Sequence, residues 1–348
     1  MCEIGNLVSL RTFIVTRTLL TIPTILVLLT LVFLIMRVMP GDPVLSIVGM
    51  HASEEHILEL RRELGLVDES GNPRPLYLQF LNYLINVFRG DLGRSLIWGR
   101  RPVLVEVLDH LPATIELTIW GFLVSIAIGL LAGVLSAHKR GTVVDQSLRF
   151  YSIVSYALFI PWVGMLLQML FAVELGLLPV AGRIESGLYV EHVTGLYLLD
   201  SLITSDWRAF YSSLHHLVLP SVTLGIVISG IFSRLSRNSM LEVMSQDFIT
   251  AARARGLPER VILKHALKNA FIPILTMMGL QFALLLTGAI LTETTFSWPG
   301  MGSFLLERIS YRDYTTLQGS VVIFAVMISL VSLIVDLVYA YVDPRIRF

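Results

Sequence analysis

Six long runs without a charged side chain constrain this chain more than any other feature of its 348 residues. The hydrocarbon core of a bilayer is roughly 30 Å thick and a helix rises about 1.5 Å per residue, so about 20 apolar residues cross it. The runs are Thr18–Met36, Leu117–Ala137, Phe150–Val173, Leu217–Ser233, Asn269–Thr292 and Tyr314–Val335. We therefore predict an all-α integral membrane protein with six transmembrane helices.

The composition agrees with a membrane protein and excludes several other classes. Hydrophobic residues make up 55% of the chain and charged residues 15%, whereas soluble domains have roughly 45–50% apolar and about 25% charged residues. The formal net charge is zero, so no overall field attracts nucleic acid, and we expect no nucleic-acid partner. Cys2 is the only cysteine, which excludes an intramolecular disulfide and a cysteine-based metal cluster.

The first run has an alternative interpretation as a cleaved signal peptide, because Arg11 and Arg17 precede it. Its uncharged stretch is longer than a typical signal-peptide core, and no small-residue cleavage site follows at Met39–Pro43. We interpret it as a retained first span.

The distribution of basic residues predicts the orientation of the spans. Lys139, Arg140 and Arg149 lie between the second and third runs. The segment between the fourth and fifth runs carries Arg234, Arg237, Arg253, Arg255, Arg260, Lys264 and Lys268. Because Lys and Arg in short loops mark the cytoplasmic side, we predict that these loops and both termini are cytoplasmic.

This topology divides the chain into three segments. Residues 1–40 form the cytoplasmic N-terminus and first span, residues 41–112 an extracytoplasmic helical segment, and residues 113–348 a five-helix core with a cytoplasmic loop at 247–270. The spacing of apolar residues in the second segment predicts amphipathic helices at Glu54–Leu64 and Leu76–Phe88, separated by a turn at Gly71–Pro73. Two interpretations stay open for these helices. They form a docking platform for an extracellular partner or a lid beside the pore, or they lie on the membrane surface or pack against the other spans.

The sequence of the loop at Asp247–Pro273 predicts two short helices separated by a glycine. Gly256 suits the left-handed conformation of a helix C-cap, after two arginines that complement the helix dipole. Pro258 suits the start of the next helix, with Glu259 in its first turn. On these grounds alone the loop is either a coupling element or a basic connector on the membrane surface, where its arginines meet acidic groups or anionic lipid.

The residues of this loop resemble a known motif. Thr250-Ala251-Ala252, with Gly256 four residues after Ala252, is similar to the cytoplasmic EAA loop of the permeases of ABC importers, which docks into a groove on the ATPase. Thr250 replaces the Glu of the general motif, and the interval from Gly256 to Pro273 is longer. Both departures resemble the peptide/nickel branch of that family.

Other segments in the same order carry the same resemblance. They are Pro40–Pro43, Gly90–Ser95, Leu177–Pro179, Glu293–Gly302 and Asp343–Arg345, so the likeness covers nearly the whole chain. The resemblance implies the type I importer permease fold and a pore shared with a second permease subunit, here a different chain. It also implies two cytoplasmic ATPase subunits that bind ATP and Mg, an extracytoplasmic solute-binding protein, and peptide transport at the cell membrane, with nickel or oligosaccharides as alternatives.

The chain lacks the motifs of an enzyme. Its lysines, Lys139, Lys264 and Lys268, do not lie in a phosphate-binding G-x-x-x-x-G-K-[ST] loop, and H-E-x-x-H and G-x-S-x-G are absent. We therefore expect no catalytic, cofactor or metal site. The alternative function is a secondary transporter or channel, which usually carries ionisable groups inside its spans, and the six runs have none.

Two sets of residues are candidates for function. The candidates for the ATPase contact are Phe248, Thr250, Ala251, Ala252, Arg253, Arg255 and Gly256. The candidates for the translocation path on the fifth span are Met277, Met278, Gln281 and Phe282.

Overall fold

A computed structural model describes residues 10–38, 53–68, 70–97 and 100–342. In these ranges the regular elements are helices, and the bridges at Val67–Pro73 and Arg94–Pro102 are isolated pairs. This confirms the predicted all-α class. The motif segments Pro40–Pro43 and Asp343–Arg345 lie outside the described residues.

The described elements are numbered in chain order. They are α1 (Leu10–Val38), α2 (Glu54–Glu63), α3 (Leu76–Phe88), α4 (Val103–His138), α5 (Val143–Ala157), α6 (Ile160–Leu167), a π-helical segment (Gln168–Glu174), α7 (Tyr197–Ile203), α8 (Trp207–Met244), α9 (Asp247–Ala254), α10 (Glu259–Thr295), α11 (Met301–Ser310) and α12 (Tyr314–Val342).

Within the described ranges, four helices are long and apolar enough to cross a membrane, namely α1, α4, α8 and α12. A fifth crossing is present if α5 and the α6/π-helical pair count as one span, although they meet at 107°. The fifth uncharged run, Asn269–Thr292, lies within α10. The count of six spans and the cytoplasmic position of both termini therefore stay predictions.

The third uncharged run, Phe150–Val173, is broken rather than continuous. Leu158 and Phe159 have extended backbone angles between α5 and α6. Pro161 explains the break, because it has no N–H to donate to the carbonyl of Ala157 as a continuous helix would require.

The chain folds into two compact units. Unit 1 comprises residues 1–15, 112–303 and 331–348, and unit 2 comprises residues 16–111 and 304–330. The functional segmentation at residues 40 and 112 stays a prediction, because it rests on membrane topology.

Small residues let the helices of unit 1 approach closely around α8. A Cβ on Gly133 of α4 would lie 2.6 Å from the carbonyl oxygen of Ser233, and one on Gly230 of α8 would lie 2.5 Å from that of Ser152 on α5. The Ser152 hydroxyl also donates to Ser233 Oγ at 2.8 Å. Close backbone approach and polar contacts of this kind stabilise helix pairs in membranes, where lipid is as apolar as leucine.

The segment before α8, which the sequence predicts to be external, contains a turn around Asp200, although its sequence shows no clear period. Its carboxylate accepts hydrogen bonds from the N–H groups of Thr194 and Gly195, both at 2.8 Å. Burial raises the pKa of Asp200, but the hydrogen bonds from Thr194 and Gly195 outweigh this effect and hold the pKa below its usual range.

A buried ion pair joins this segment to α4. Arg183 Nε donates to Glu116 Oε2 at 2.9 Å, and both side chains are buried. The Arg183 guanidinium lies 3.7 Å from the centroid of the Tyr197 ring. Trp298 donates its indole N–H to the carbonyl of Ala113 at 2.9 Å. The Arg183–Glu116 pair thus holds this segment against α4, and the bond from Trp298 holds the chain that follows α10 against α4.

In unit 2, the structure confirms the two predicted amphipathic helices as α2 and α3. Gly71 between them has φ +86°, and the N–H of Asn72 donates to Asp68 Oδ1 at 2.8 Å, which forms the predicted turn. The Gly90–Ser95 motif follows α3. Ser95 donates its hydroxyl to Asp313 at 2.6 Å, so this motif is held to the chain just before α12.

Candidate functional site: the loop after α8 and the cavity beside α10

The loop after α8 forms a helix, a left-handed glycine and a second helix, as the sequence predicts. Gly256 has φ +72°, and its N–H donates to the carbonyl of Arg253 at 2.9 Å. The N–H of Leu257 donates to the carbonyl of Ala252 at 3.3 Å. Together these bonds form a Schellman motif, which satisfies the last carbonyls of α9.

The second helix of the loop is not short, which corrects the sequence-based expectation. Glu259 begins α10, which continues without a break to Thr295 and so includes the whole fifth uncharged run. Pro273 lies inside this helix and does not end it. A force applied to α9 is therefore applied next to the helix that contains the predicted fifth span.

Ile249 anchors α9 to the protein. Its side chain is fully buried in a cluster that includes Met240 and Val243 of α8 and Ile262 and Ala266 of α10. The sequence interpretation missed this residue, although Ile249 and Ala252 have the three-residue spacing of one helix face. The anchor determines which side of α9 is available to a partner.

Six of the seven residues predicted for the ATPase contact are exposed. They are Phe248, Thr250, Ala251, Arg253, Arg255 and Gly256. Ala252 is half-buried and packs against the cluster around Ile249. Leu257, which the sequence interpretation did not include, is 39% exposed, close to the 40% of Phe248. The loop therefore presents two apolar side chains among small and basic residues.

The ion pair of the loop is a surface feature. Arg253 Nη2 lies 3.2 Å from Glu259 Oε1, and both side chains are about half-exposed. Such pairs usually contribute about 0–1 kcal/mol. Because the pair is weak, Arg253 can leave Glu259 and form an ion pair with an acidic group of a partner instead.

A buried ion pair joins the end of α4, the start of α5 and the last part of α8. Arg237 Nε lies 2.8 Å from Asp145 Oδ1 and its Nη2 lies 3.0 Å from Oδ2. The same carboxylate accepts from the Ser136 hydroxyl at 2.6 Å and from the N–H of Gly141 at 3.0 Å. The sequence interpretation used Arg237 only as a marker of orientation. The pair fixes the end of α8 from which α9 departs.

Two of the four residues predicted for the translocation path line an apolar cavity of about 350 Å³ in unit 1. Met278 and Phe282 of α10 face it together with Phe122 of α4, whose ring lies 5.0 Å from that of Phe282. Val331, Ile334 and Val335 of α12 line its other side. Gln281 is buried but does not line the cavity, and the side chain of Met277 lies outside the described residues.

The arrangement contains no catalytic constellation among the described residues, and no group of three metal-ligating side chains is found there. It offers an exposed helix, α9, attached to the long helix α10, and an apolar cavity beside α10. Such an element can transmit a movement from a partner to the membrane-spanning part of the chain.

Two models of known protein families together match most of this chain. Residues 125–348 match the family described as binding-protein-dependent transport system inner membrane component. Residues 10–118 match the N-terminal part of the membrane components of the same systems. This chain belongs to that family.

Relatives of this permease cover nearly its whole length. It is 41% identical to the Di/tripeptide transport system permease protein DppB of Pseudomonas aeruginosa, over 97% of this chain and 98% of that one. It is also 41% identical to the Dipeptide transport system permease protein DppB of Escherichia coli K12, over 96% and 98%. A solved structure of the MetNI methionine ABC transporter in inward-facing conformations superposes with a TM-score of 0.47 at 15% identity, over 69% and 96%.

Family membership decides between the two functions that the sequence left open. The permease is the pore-forming membrane component of an ABC importer of the cell membrane, and not a secondary transporter or a channel. It works with other subunits, and ATP is hydrolysed on subunits separate from it.

We expect Ile249→Ala to loosen α9 without changing its exposed surface. Burial of a large aliphatic side chain contributes about 2–5 kcal/mol, so amide exchange in residues 248–255 should accelerate by at least about tenfold. Hydrogen exchange of the purified permease in detergent measures this change. Thr250→Ala, on the exposed side of the same helix, is the matched control, and equal exchange in both variants would contradict the anchoring role.

Proposed function

We propose that this permease imports di- and oligopeptides. The observation that carries the proposal is about 41% identity, over nearly the whole chain, to permeases named for di- and tripeptide transport. The apolar cavity beside α10 fits this substrate class, because its described lining carries no charged side chain that would select one peptide side chain over another. Selectivity would then reside mainly in an extracytoplasmic binding protein that delivers the peptide.

We further propose that the pore is completed by a second, different permease chain and that two ATPase subunits bind on the cytoplasmic side. Each ATPase would receive the exposed face of one coupling helix, which is α9 in this chain. Phe248 and Leu257 would enter an apolar groove, and Thr250 and Ala251 would allow close approach of the backbone. Arg253 and Arg255 would meet acidic groups at its rim. This assignment is supported by the exposure of these side chains and by the buried anchor at Ile249.

Closure of the two ATPases would draw the coupling helices together. Because α10 begins at Glu259, directly after the turn at Gly256, and continues to Thr295, the movement would reach Met278 and Phe282 through a single helix. The transporter would thereby switch between inward-open and outward-open states by rigid-body rotation. This mechanism assumes that both termini are cytoplasmic, as the basic loops predict.

Uptake by a reconstituted transporter tests the substrate. The permease is coexpressed with the second permease and the two ATPases, and the complex is inserted into liposomes with ATP on the ATPase side. Radiolabelled dialanine and the binding protein are supplied on the other side. We expect uptake that requires both ATP and the binding protein, and none when the phosphate-loop lysine of the ATPase is replaced. Uptake of nickel or an oligosaccharide without uptake of peptide would overturn the proposed substrate.

A further inference from the structure

A polar cavity of about 360 Å³ lies in unit 2, between the end of α1, the polar side of α3 and the start of α12. Its described lining includes three arginines, Arg37, Arg62 and Arg74, against one acidic residue, Asp91. Polar side chains complete it, namely Gln79, Asn82, Tyr83, Asn86, Thr315 and Gln318. The transport cycle proposed above does not use this cavity, and the guanidinium groups of Arg37 and Arg74 in its wall favour an anion.

Arg37 is the residue that most requires a ligand. Its Nη2 donates to the carbonyl of Leu64 at 3.4 Å, and its guanidinium lies 5.6 Å from the centroid of the Phe33 ring. Its Nε is buried and has no hydrogen-bond partner, and among the described residues no carboxylate pairs with it. Burial of an unpaired cation is costly. An anion that enters the cavity would relieve this cost.

Two neighbouring groups restrict the kind of anion. The hydroxyl of Thr315 is buried without a partner and can donate a second hydrogen bond to it. Gln79 donates from Nε2 to the carbonyl of Arg74 at 2.8 Å, but its Oε1 is buried and unpartnered, so it can accept a bond from a hydroxyl. Donors next to an acceptor suit a phosphodiester that carries a hydroxylated group.

The position of α3 indicates where such a group comes from. Its polar residues Gln79, Asn82, Tyr83 and Asn86 have the spacing of one helix face and line the cavity. Exposed apolar side chains lie on the rest of the helix, namely Leu76, Tyr77, Leu78, Leu81, Ile85 and Phe88. This division is typical of a helix that lies in the membrane interface. The cavity also adjoins the end of α1 and the start of α12, which are the ends of two predicted spans. The ends of membrane spans lie at the depth of the lipid headgroups.

We propose that this cavity binds the headgroup of an anionic phospholipid. Arg37, Arg74 and Thr315 hold the phosphodiester, Gln79 accepts a bond from the headgroup hydroxyl, and the acyl chains lie along the apolar side of α3. In the orientation proposed above the lipid belongs to the outer leaflet. The site requires membrane insertion but not a peptide substrate, so the uptake experiment and the lipid experiment can fail independently.

Native mass spectrometry of the purified full-length permease in detergent tests the site. Phosphatidylglycerol and phosphatidylcholine with the same acyl chains are titrated separately. Because charge-assisted hydrogen bonds are stronger than neutral ones, we expect phosphatidylglycerol to bind about tenfold more tightly. Arg37→Gln and Arg74→Gln should each remove most of this preference. Arg89→Gln, an equal change of charge at an exposed position outside the cavity, should leave it unchanged.

Arg74 is half-exposed, so its variant tests the site even where Arg37→Gln fails to fold, which size-exclusion chromatography reveals. Phosphatidylglycerol affinity that Arg74→Gln leaves unchanged would overturn the proposal. A third arm adds inorganic phosphate during the lipid titration. Complete displacement of the lipid by phosphate would identify a free-anion site instead, and persistence of the lipid adduct supports the headgroup.

Discussion

Replacement of Arg237 by Gln should lower the free energy of unfolding of the permease by about 3–5 kcal/mol, because it leaves the buried carboxylate of Asp145 without its cation. Asp145 is only 3% exposed and Arg237 17% exposed, and two nitrogen atoms of the guanidinium contact both carboxylate oxygens. The remaining contacts, from Ser136 and Gly141, are too weak to replace a full charge. The end of α4, the start of α5 and the last part of α8 should therefore separate more readily.

The measurement is the thermal unfolding midpoint of the purified permease in detergent. Arg101→Gln is the matched control, because Arg101 and Asp109 form an ion pair at 3.2 Å whose side chains are 55% and 53% exposed. Exposed pairs contribute about 0–1 kcal/mol, so its midpoint should hardly change. Addition of Asp145→Asn to Arg237→Gln should restore part of the loss by removing the unpaired charge. Equal midpoints for Arg237→Gln and Arg101→Gln would show that the buried pair is not needed for stability.

Gly256→Val should abolish coupled transport while the spans stay inserted. A β-branched residue is strongly disfavoured at φ +72°, so the Schellman motif would open and α9 would lose its direction relative to α10. A Cβ at Gly256 meets nothing within 4 Å. The expected defect is therefore one of backbone conformation and not of steric overlap.

Two variants separate this effect from general damage. Gly256→Asn should retain much of the transport, because Asn tolerates the left-handed region better than other residues with a side chain. Gly187→Val places the same change at a glycine with φ +92° and open space in the predicted external segment, and it should transport normally. The readouts are ATP-dependent peptide uptake and the amount of permease in the membrane. Normal uptake by Gly256→Val would disprove the coupling assignment.

The amino-acid sequence by itself determined the features that depend on neighbouring residues. Long uncharged runs predict membrane helices, because lipid depth and helix rise are fixed quantities. Gly256 predicts a left-handed cap, because glycine alone adopts that conformation without cost. The helices α2 and α3 follow from apolar spacing in the same way. The order of short motifs was enough to indicate the family, since each motif is local.

Tertiary structure decided which distant residues meet. Asp145 and Arg237 are 92 positions apart, and nothing in either segment distinguishes this pair from other charges near the spans. The burial of Ile249 and the lack, among the described residues, of a carboxylate paired with Arg37 likewise depend on which helices pack beside them. Packing of this kind is a property of the folded chain and not of local preference. The 107° bend before α6 is an intermediate case, because Pro161 could have indicated the break but only packing sets the angle.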